Sequence, residues 1–166
     1  MKSSLKLGVI VLCNLATFVL LGCVTTQPII TEPIQKIIDL NGISSSTIFT
    51  KSQLWASKTF VSAKDAIEIS DKDAGIITIR TTFQSYAYKI GIALGASYYT
   101  TYKVVIEIKE NRVRITCQNP TYEVINQGRI QKFSTPTQAM VDEYEYNATS
   151  IINSFEAFLK SSATSW

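Results

Sequence analysis

The chain contains no histidine, and only 3 cysteines, 4 prolines and 7 glycines in 166 residues. The missing histidine removes Ser-His-Asp triads, Cys-His pairs and His-ligated metal sites in one step. There is no Gly-rich phosphate loop, no CxxC pair and no calcium-loop pattern. No cofactor and no metal site is therefore expected. Charged residues are also sparse, at 17%, against about 25% in ordinary soluble domains. That argues against a disordered chain and against one built to grip nucleic acid. What is abundant is apolar material, 46% of the residues, and the length suits one domain with a single core.

The amino terminus reads as an export signal. Lys2 and Lys6 precede an apolar run from Leu7 to Leu21, interrupted only by Asn14 and Thr17 and closed by Gly22-Cys23. The run is about 15 residues, shorter than the ~20 needed for a spanning helix. Leu20-Leu21-Gly22-Cys23 resembles the lipobox of bacterial lipoproteins, in which the cysteine is acylated and the chain is cleaved just before it. The thiol is needed because only sulfur forms the thioether to diacylglycerol. The resemblance implies that residues 1–22 are a lipoprotein signal peptide and that Cys23 carries lipid at the new amino terminus. Val24 at the next position, rather than Asp, is what the lipoprotein resemblance associates with the outer membrane. Losing Lys2 and Lys6 lowers the formal charge from +3 to +1, so no case for a polyanion partner survives.

Residues 23–32 then read as a lipidated tether; Val24 to Glu32 could reach about 30 Å if stretched. A domain spanning 33–160 follows, and residues 161–166 form a tail expected to fray. Ile34, Ile37 and Ile38 suggest a first strand that stops at Asn41-Gly42. Ser44, Ser45 and Ser46 offer N-cap hydroxyls to a helix carrying Ile48, Ser52, Trp55, Ala56 and Phe60 at helical spacing. Ile67 and Ile69 alternate with Glu68 and Ser70, and Asp71 to Gly75 is turn chemistry. Ile77, Ile79 and Phe83 continue one apolar face, with Thr78, Arg80 and Thr82 on the other.

Tyr102 to Gln118 is the clearest hairpin. With Glu110-Asn111 as a two-residue turn, Ile108 faces Val113, Ile106 faces Ile115, Val104 faces Cys117 and Glu107 faces Arg114. That register buries Cys117 as a small core hydrophobe rather than exposing a reactive thiol. The final helix is announced by Thr135 as N-cap, Pro136 at the first helical position and Gln138 at the capping-box position. Its stripe runs Met140, Val141, Tyr144, Ala148, Ile151, Ile152, Phe155, Phe158 and Leu159. Asp142, Glu143 and Glu145 are placed early, where the helix dipole favours acids. The expected architecture is α+β: a single domain with a curved antiparallel sheet and two helices on one face, in the order strand, helix, four strands, helix.

Trp55 to Phe60, Ala66 to Asp71, Asp73 to Ile77 and the Lys103-to-Thr116 hairpin together resemble one bacterial family, the exported domain of unknown function with a TBP-like fold. The resemblance runs from about Ile34 to Leu159, with a lengthened connection from Ser85 to Thr101. It implies a secreted or lipid-anchored domain and brings no catalytic residues. DNA binding does not follow from the fold name, because a charge of +1 after export lacks the clustered positive surface that phosphate contacts require.

The residues point to a lipid-anchored module of the cell envelope, at the outer membrane and facing the periplasm, that binds another envelope protein or a small ligand. The candidate interaction surface comprises Arg80, Lys103, Glu107, Arg112 and Arg114 on the uncovered sheet face, and Tyr86, Tyr88, Tyr98 and Tyr99 in a tyrosine-rich connection. The alternative for that connection is two strand ends packed on the domain's own core. Two other readings of the whole chain stay open. One is a His-independent envelope hydrolase using carboxylates, such as Asp71 with Asp73, or a serine. The other is an enclosed apolar cavity of about 300 Å³ or more, lined by Trp55 and Tyr144. The lipid assignment has a direct test: Cys23→Ser abolishes metabolic labelling with fatty acid and releases the protein from the membrane fraction.

Overall fold

The computed structural model describes residues 31–60, 66–86 and 95–161. The expected signal peptide, Cys23 and the expected tether through residue 30 lie outside the described residues, as do Tyr88 and the residues from 162. Elements follow in the order β1 (Ile34–Asp39), α1 (Ser45–Thr59), β2 (Ile67–Asp71), β3 (Ile76–Ser85), β4 (Ser97–Lys109), β5 (Arg112–Asn126), β6 (Arg129–Phe133) and α2 (Gln138–Ser161). The sheet is antiparallel, with β1, β5, β4, β3 and β2 side by side. This is the expected strand, helix, four strands and helix, extended by a short sixth strand. β6 pairs with the second half of β5, while β1 pairs with its first half. No helix among the described residues is long and apolar enough to cross a membrane.

Alternation decides which side of the sheet is apolar. Lys109 pairs with Arg112 across the two-residue turn, so Ile108–Val113, Ile106–Ile115 and Val104–Cys117 fall into line as expected. Ile38, Ile77 and Ile79 join them from β1 and β3, and all are essentially inaccessible to solvent. Both helices cover this side. From α1 come Ile48, Phe49, Trp55 and Ala56; from α2 come Tyr144, Ala148, Ile152, Phe155 and Leu159. Trp55 packs edge-on against Phe155 at 4.8 Å and against Phe60 at 5.5 Å, and its indole donates to Ser154 Oγ at 3.3 Å. Ile151 and Phe158 of the predicted stripe are half-buried at its margin.

Ser44 caps α1 as the sequence suggests, its hydroxyl accepting from the Thr47 amide at 3.2 Å. The hairpin tip reaches across to hold this helix entrance. The Leu40 amide donates to Asn111 O at 2.7 Å, the Gly42 amide to Asn111 Oδ1 at 2.9 Å and the Ser45 amide to Glu110 Oε2 at 2.9 Å. Asn111 has φ +62°, a conformation its short polar side chain tolerates.

Four local expectations are corrected. Ile67 pairs with Ile79, but Ile69 pairs with Thr78, because a bulge at Glu68 inserts an extra residue. Ile69 therefore turns to the opposite face and is exposed. Second, α2 begins at Gln138 rather than at Pro136. Pairing of β6 holds the chain as far as Phe133, and residues 134–137 are used to cross over to the helix. Thr137, not Thr135, is the residue whose carbonyl receives the first helical amides, from Met140 and Val141 at 3.1 Å each. Gln138 donates to Asp142 Oδ1 instead of closing a capping box. Third, no acid lies in the first turn of α2. Finally, β4 begins at Ser97, inside the connection expected to run from Ser85 to Thr101, so Tyr98 and Tyr99 lie in a strand end, as the second reading of that segment has it.

Gly75 shows how tightly the β2–β3 turn meets the hairpin. Its φ is +67°, its carbonyl accepts from the Ile108 amide at 2.8 Å, and an added Cβ would stand 2.6 Å from Ile108 O. Gly42 also has positive φ, +79°, but open space around it. Gly75→Ala should therefore cost about 2 kcal/mol or more, and Gly42→Ala only about 1 kcal/mol from backbone strain. Urea unfolding midpoints of the two variants give the comparison.

Candidate functional site

One side of the sheet is roofed by helices; the other is not. Its side chains come from the alternate positions of the same strands, so the period that builds the core also builds this surface. Rows of side chains cross it at right angles to the strands. The middle row is short and β-branched: Thr78, Val105 and Thr116, continued by Gln35 on β1. Thr78 and Thr116 are buried although no element covers them, because longer side chains in the flanking rows screen them.

Those flanking rows are ion-paired. On one side Glu68 accepts from Arg80 at 2.5 Å and lies 3.1 Å from Lys103 Nζ. The bulge that turns Ile69 outward is what places Glu68 in this triad. On the other side Arg114 grips Glu107 with two bonds of 2.7 Å each, the fork geometry that makes Arg–carboxylate pairs strong. Further along, Lys132 of β6 approaches Glu123 at 3.5 Å. Lys103 and Arg80 hold the Glu68 carboxyl below its usual value, and Arg114 does the same for Glu107. Away from this face, Lys160 and Lys36 lower Glu156, tying α2 to β1.

Two adjoining depressions share Glu107 and Arg114. One, of about 380 Å³, runs toward the start of β1 over Val105, Thr116, Gln118, Gln35, Pro33 and Glu32. The other, of about 210 Å³, lies at the hairpin end beside Ile37, Lys109, Arg112 and Val113. Ile37, Ile69 and Ile130 are exposed on this same face, at 60%, 52% and 65%. The surface is thus mixed, with separated aliphatic side chains set among paired charges.

Arg80, Lys103, Glu107, Arg112 and Arg114 all stand on this face, as alternation predicts. The tyrosine-rich segment divides. Tyr86 is exposed, but Tyr98 is half-buried and stacks on Phe133 at 6.2 Å. Tyr99 is half-buried on the open face, and Tyr102 is in the core against Tyr144 at 5.2 Å. The sequence reading missed the second half of β5 and all of β6, which bring Glu123, Lys132 and Ile130 to the face. Pro120 in mid-strand hid β5; it is tolerated there because Asn119-Pro120 form a bulge opposite Tyr102. The signal for β6 was Gln127-Gly128, both at positive φ, a two-residue hairpin turn.

Trp55 and Tyr144, proposed to line a cavity, are buried in ring contacts, Trp55 with Phe155 and Tyr144 with Tyr102, and Tyr144 donates its hydroxyl to Cys117 O at 2.9 Å. Burial pushes the Cys117 thiol up to about 12, so it is a thiol and not a thiolate at neutral pH. Asp71 accepts from the Ala74 amide in its turn. Glu143 accepts from the buried Ser85 hydroxyl and from the Tyr86 amide, tying α2 to the end of β3. Among the described residues no three Asp, Glu or Cys gather as a metal site.

Comparison with known proteins agrees with this architecture. A family described as a domain of unknown function (DUF4468) with TBP-like fold matches residues 35–123. A TBP-like protein from Parabacteroides distasonis ATCC 8503 is similar in structure, with TM-score 0.59 and 14% identity, over 76% of this chain and 91% of that one. A DUF4468 family protein from Bacteroides ovatus ATCC 8483 gives TM-score 0.50 and 13% identity, over 80% and 91%. No protein of curated function matches the chain.

The ion pairs make a pH prediction. The carboxyls of Glu68, Glu107 and Glu156 are held below the usual 4.5 in the fold. Their stabilising contribution is therefore complete above that value and fades as the pH falls through the lowered folded values. Melting temperatures should drop as the pH is lowered below about 4.5, and Arg114→Gln should flatten that acid limb by releasing Glu107.

Proposed function

Because the chain belongs to the DUF4468 family with a TBP-like fold, we propose that it serves as a lipid-anchored binding module of the cell envelope, using the open face of its sheet. The observation that carries this reading is the division of labour between the two sheet faces. The helix side is covered by α1 and α2, with Trp55 and Tyr144 buried, whereas the opposite side is uncovered and carries exposed aliphatics beside ion pairs. Mixed surfaces of this kind suit protein contacts, where isolated apolar anchors sit among polar groups that keep the free surface soluble. Glu68 and Glu107 act as counter-ions within this face rather than as an acid and base poised over a substrate, which favours binding over hydrolysis.

Anchoring belongs to Cys23, with residues 24–32 setting the distance from the outer membrane and the domain facing the periplasm. The first described residues fit that role. Glu32 and Pro33 border the larger open-face depression, so the tether joins the domain at the edge of its contact surface.

In whole cells, a photo-cross-linking amino acid in place of Val105 should give a discrete adduct. The same group at Tyr146, exposed on α2, should give none. Equal adducts from both positions, or none from Val105, would remove the open face as the contact surface.

A further inference from the structure

At the hairpin end of the open face two cations stand without an ion pair among the described residues. Arg80, Lys103, Arg114 and Lys132 each have a carboxylate partner. Lys109 and Arg112 do not: among the described residues neither makes an ion pair. Yet they are direct cross-strand partners, and both are exposed. Like charges placed directly opposite destabilise a sheet. Three carboxylates are near and none closes an ion pair with them: Glu107 feels Lys109 only at longer range and is held by Arg114. Glu110 accepts from the Ser45 amide, and Asp39, the register partner of Arg112 on β1, makes no ion pair with it. Beside these cations lies the depression of about 210 Å³, with the exposed Ile37 on its rim.

We infer that this corner, Lys109 and Arg112 with the depression beside Ile37, receives an acidic segment of a partner protein, a carboxylate flanked by an apolar residue. The inference rests on the open face being the contact surface and adds the chemistry of what it contacts. A carboxylate between the two cations relieves their repulsion, and an aliphatic neighbour covers Ile37. A protruding segment fits better than an anionic lipid surface for two reasons. The site is concave, and it lies at the far end of β1 from where the tether enters. Ile34 pairs with Cys117 and Asp39 with Arg112, five residues apart, or about 17 Å along the strand.

The test uses the full-length protein in cells, with benzoylphenylalanine in place of Ile37. The expected result is a protein adduct whose cross-linked peptide contains Asp, Glu or a terminal carboxylate. Its yield should fall at least tenfold in Lys109→Glu/Arg112→Glu and survive in Lys109→Arg/Arg112→Lys. A milder pair, Lys109→Gln/Arg112→Gln, with an unchanged melting temperature, separates lost contact from lost fold. Attachment to lipid, attachment to a peptide without acidic groups, no adduct, or a yield indifferent to charge reversal would each overturn the inference. An adduct from Val105 that ignores Lys109 and Arg112 would leave the open face standing as a contact surface and remove only the acidic contact.

Discussion

The register of the β4–β5 hairpin is the constraint on which the remaining structure depends. Glu110 and Asn111 alone separate Lys109 from Arg112, so every later pair on the two longest strands is fixed by that count. A slip of one residue would carry Val113, Ile115 and Cys117 to the solvent side and bring Arg112 and Arg114 under the helices. The tip is held by more than its own turn. Asn111 accepts from the Leu40 and Gly42 amides, Glu110 accepts from the Ser45 amide, and the Gly75 carbonyl accepts from the Ile108 amide. The same two residues therefore set strand register and fix where α1 begins.

Two very different surfaces follow from that one choice. Toward the helices, alternation delivers an aliphatic sheet against which Trp55, Tyr144 and Phe155 pack with little exposure. Burying polar tips there requires partners, and both are supplied: Ser154 for the Trp55 indole and the Cys117 carbonyl for the Tyr144 hydroxyl. Away from the helices, the same strands present Thr78, Val105 and Thr116 as a low strip between ion-paired rows. Pairing of Glu68 with Arg80 and Lys103, and of Glu107 with Arg114, keeps this uncovered face soluble without a roof.

Much of this was legible because period two is a strong signal on β4 and the first half of β5. The hairpin register, the inward Cys117 and the outward Glu107–Arg114 pair all followed from alternation and a turn of two residues. The Ser44 cap and the stripe from Met140 to Leu159 were legible for the same reason, a regular period bounded by a recognisable stop. Reading failed where one residue breaks the count. Glu68 is a bulge, so Ile69 points away from Ile67 although the sequence alternates without a flaw. Asn119-Pro120 is a second bulge, and Pro in mid-strand looks like a terminus until the ladder is seen to resume at Thr121. Arg129 to Phe133 carries no strong apolar alternation because its Ile130 faces solvent, so only its turn betrayed it.

The candidate surface was legible as a set of residues but not as a charge balance. Alternation puts Arg80, Lys103, Glu107, Arg112 and Arg114 on one face, yet it is silent on which cations find partners. Pairing depends on the Glu68 bulge, which supplies a carboxylate to two cations, and on the fork of Arg114 consuming Glu107. Once those pairs form, Lys109 and Arg112 are without an ion pair among the described residues, although Asp39 faces Arg112 in register and Lys109 still acts on Glu107 from a distance. Net charge misses this entirely, because a formal charge of +3 over the whole chain does not say which cations lack an ion pair. Recognition responds to local charge, since a carboxylate placed at contact distance feels the nearest unpaired cations far more than distant charges screened by salt. The hairpin thus ends in two facing cations because its turn requires Lys109 and Arg112 to oppose each other, with Glu110 engaged at the Ser45 amide and Glu107 in the fork of Arg114.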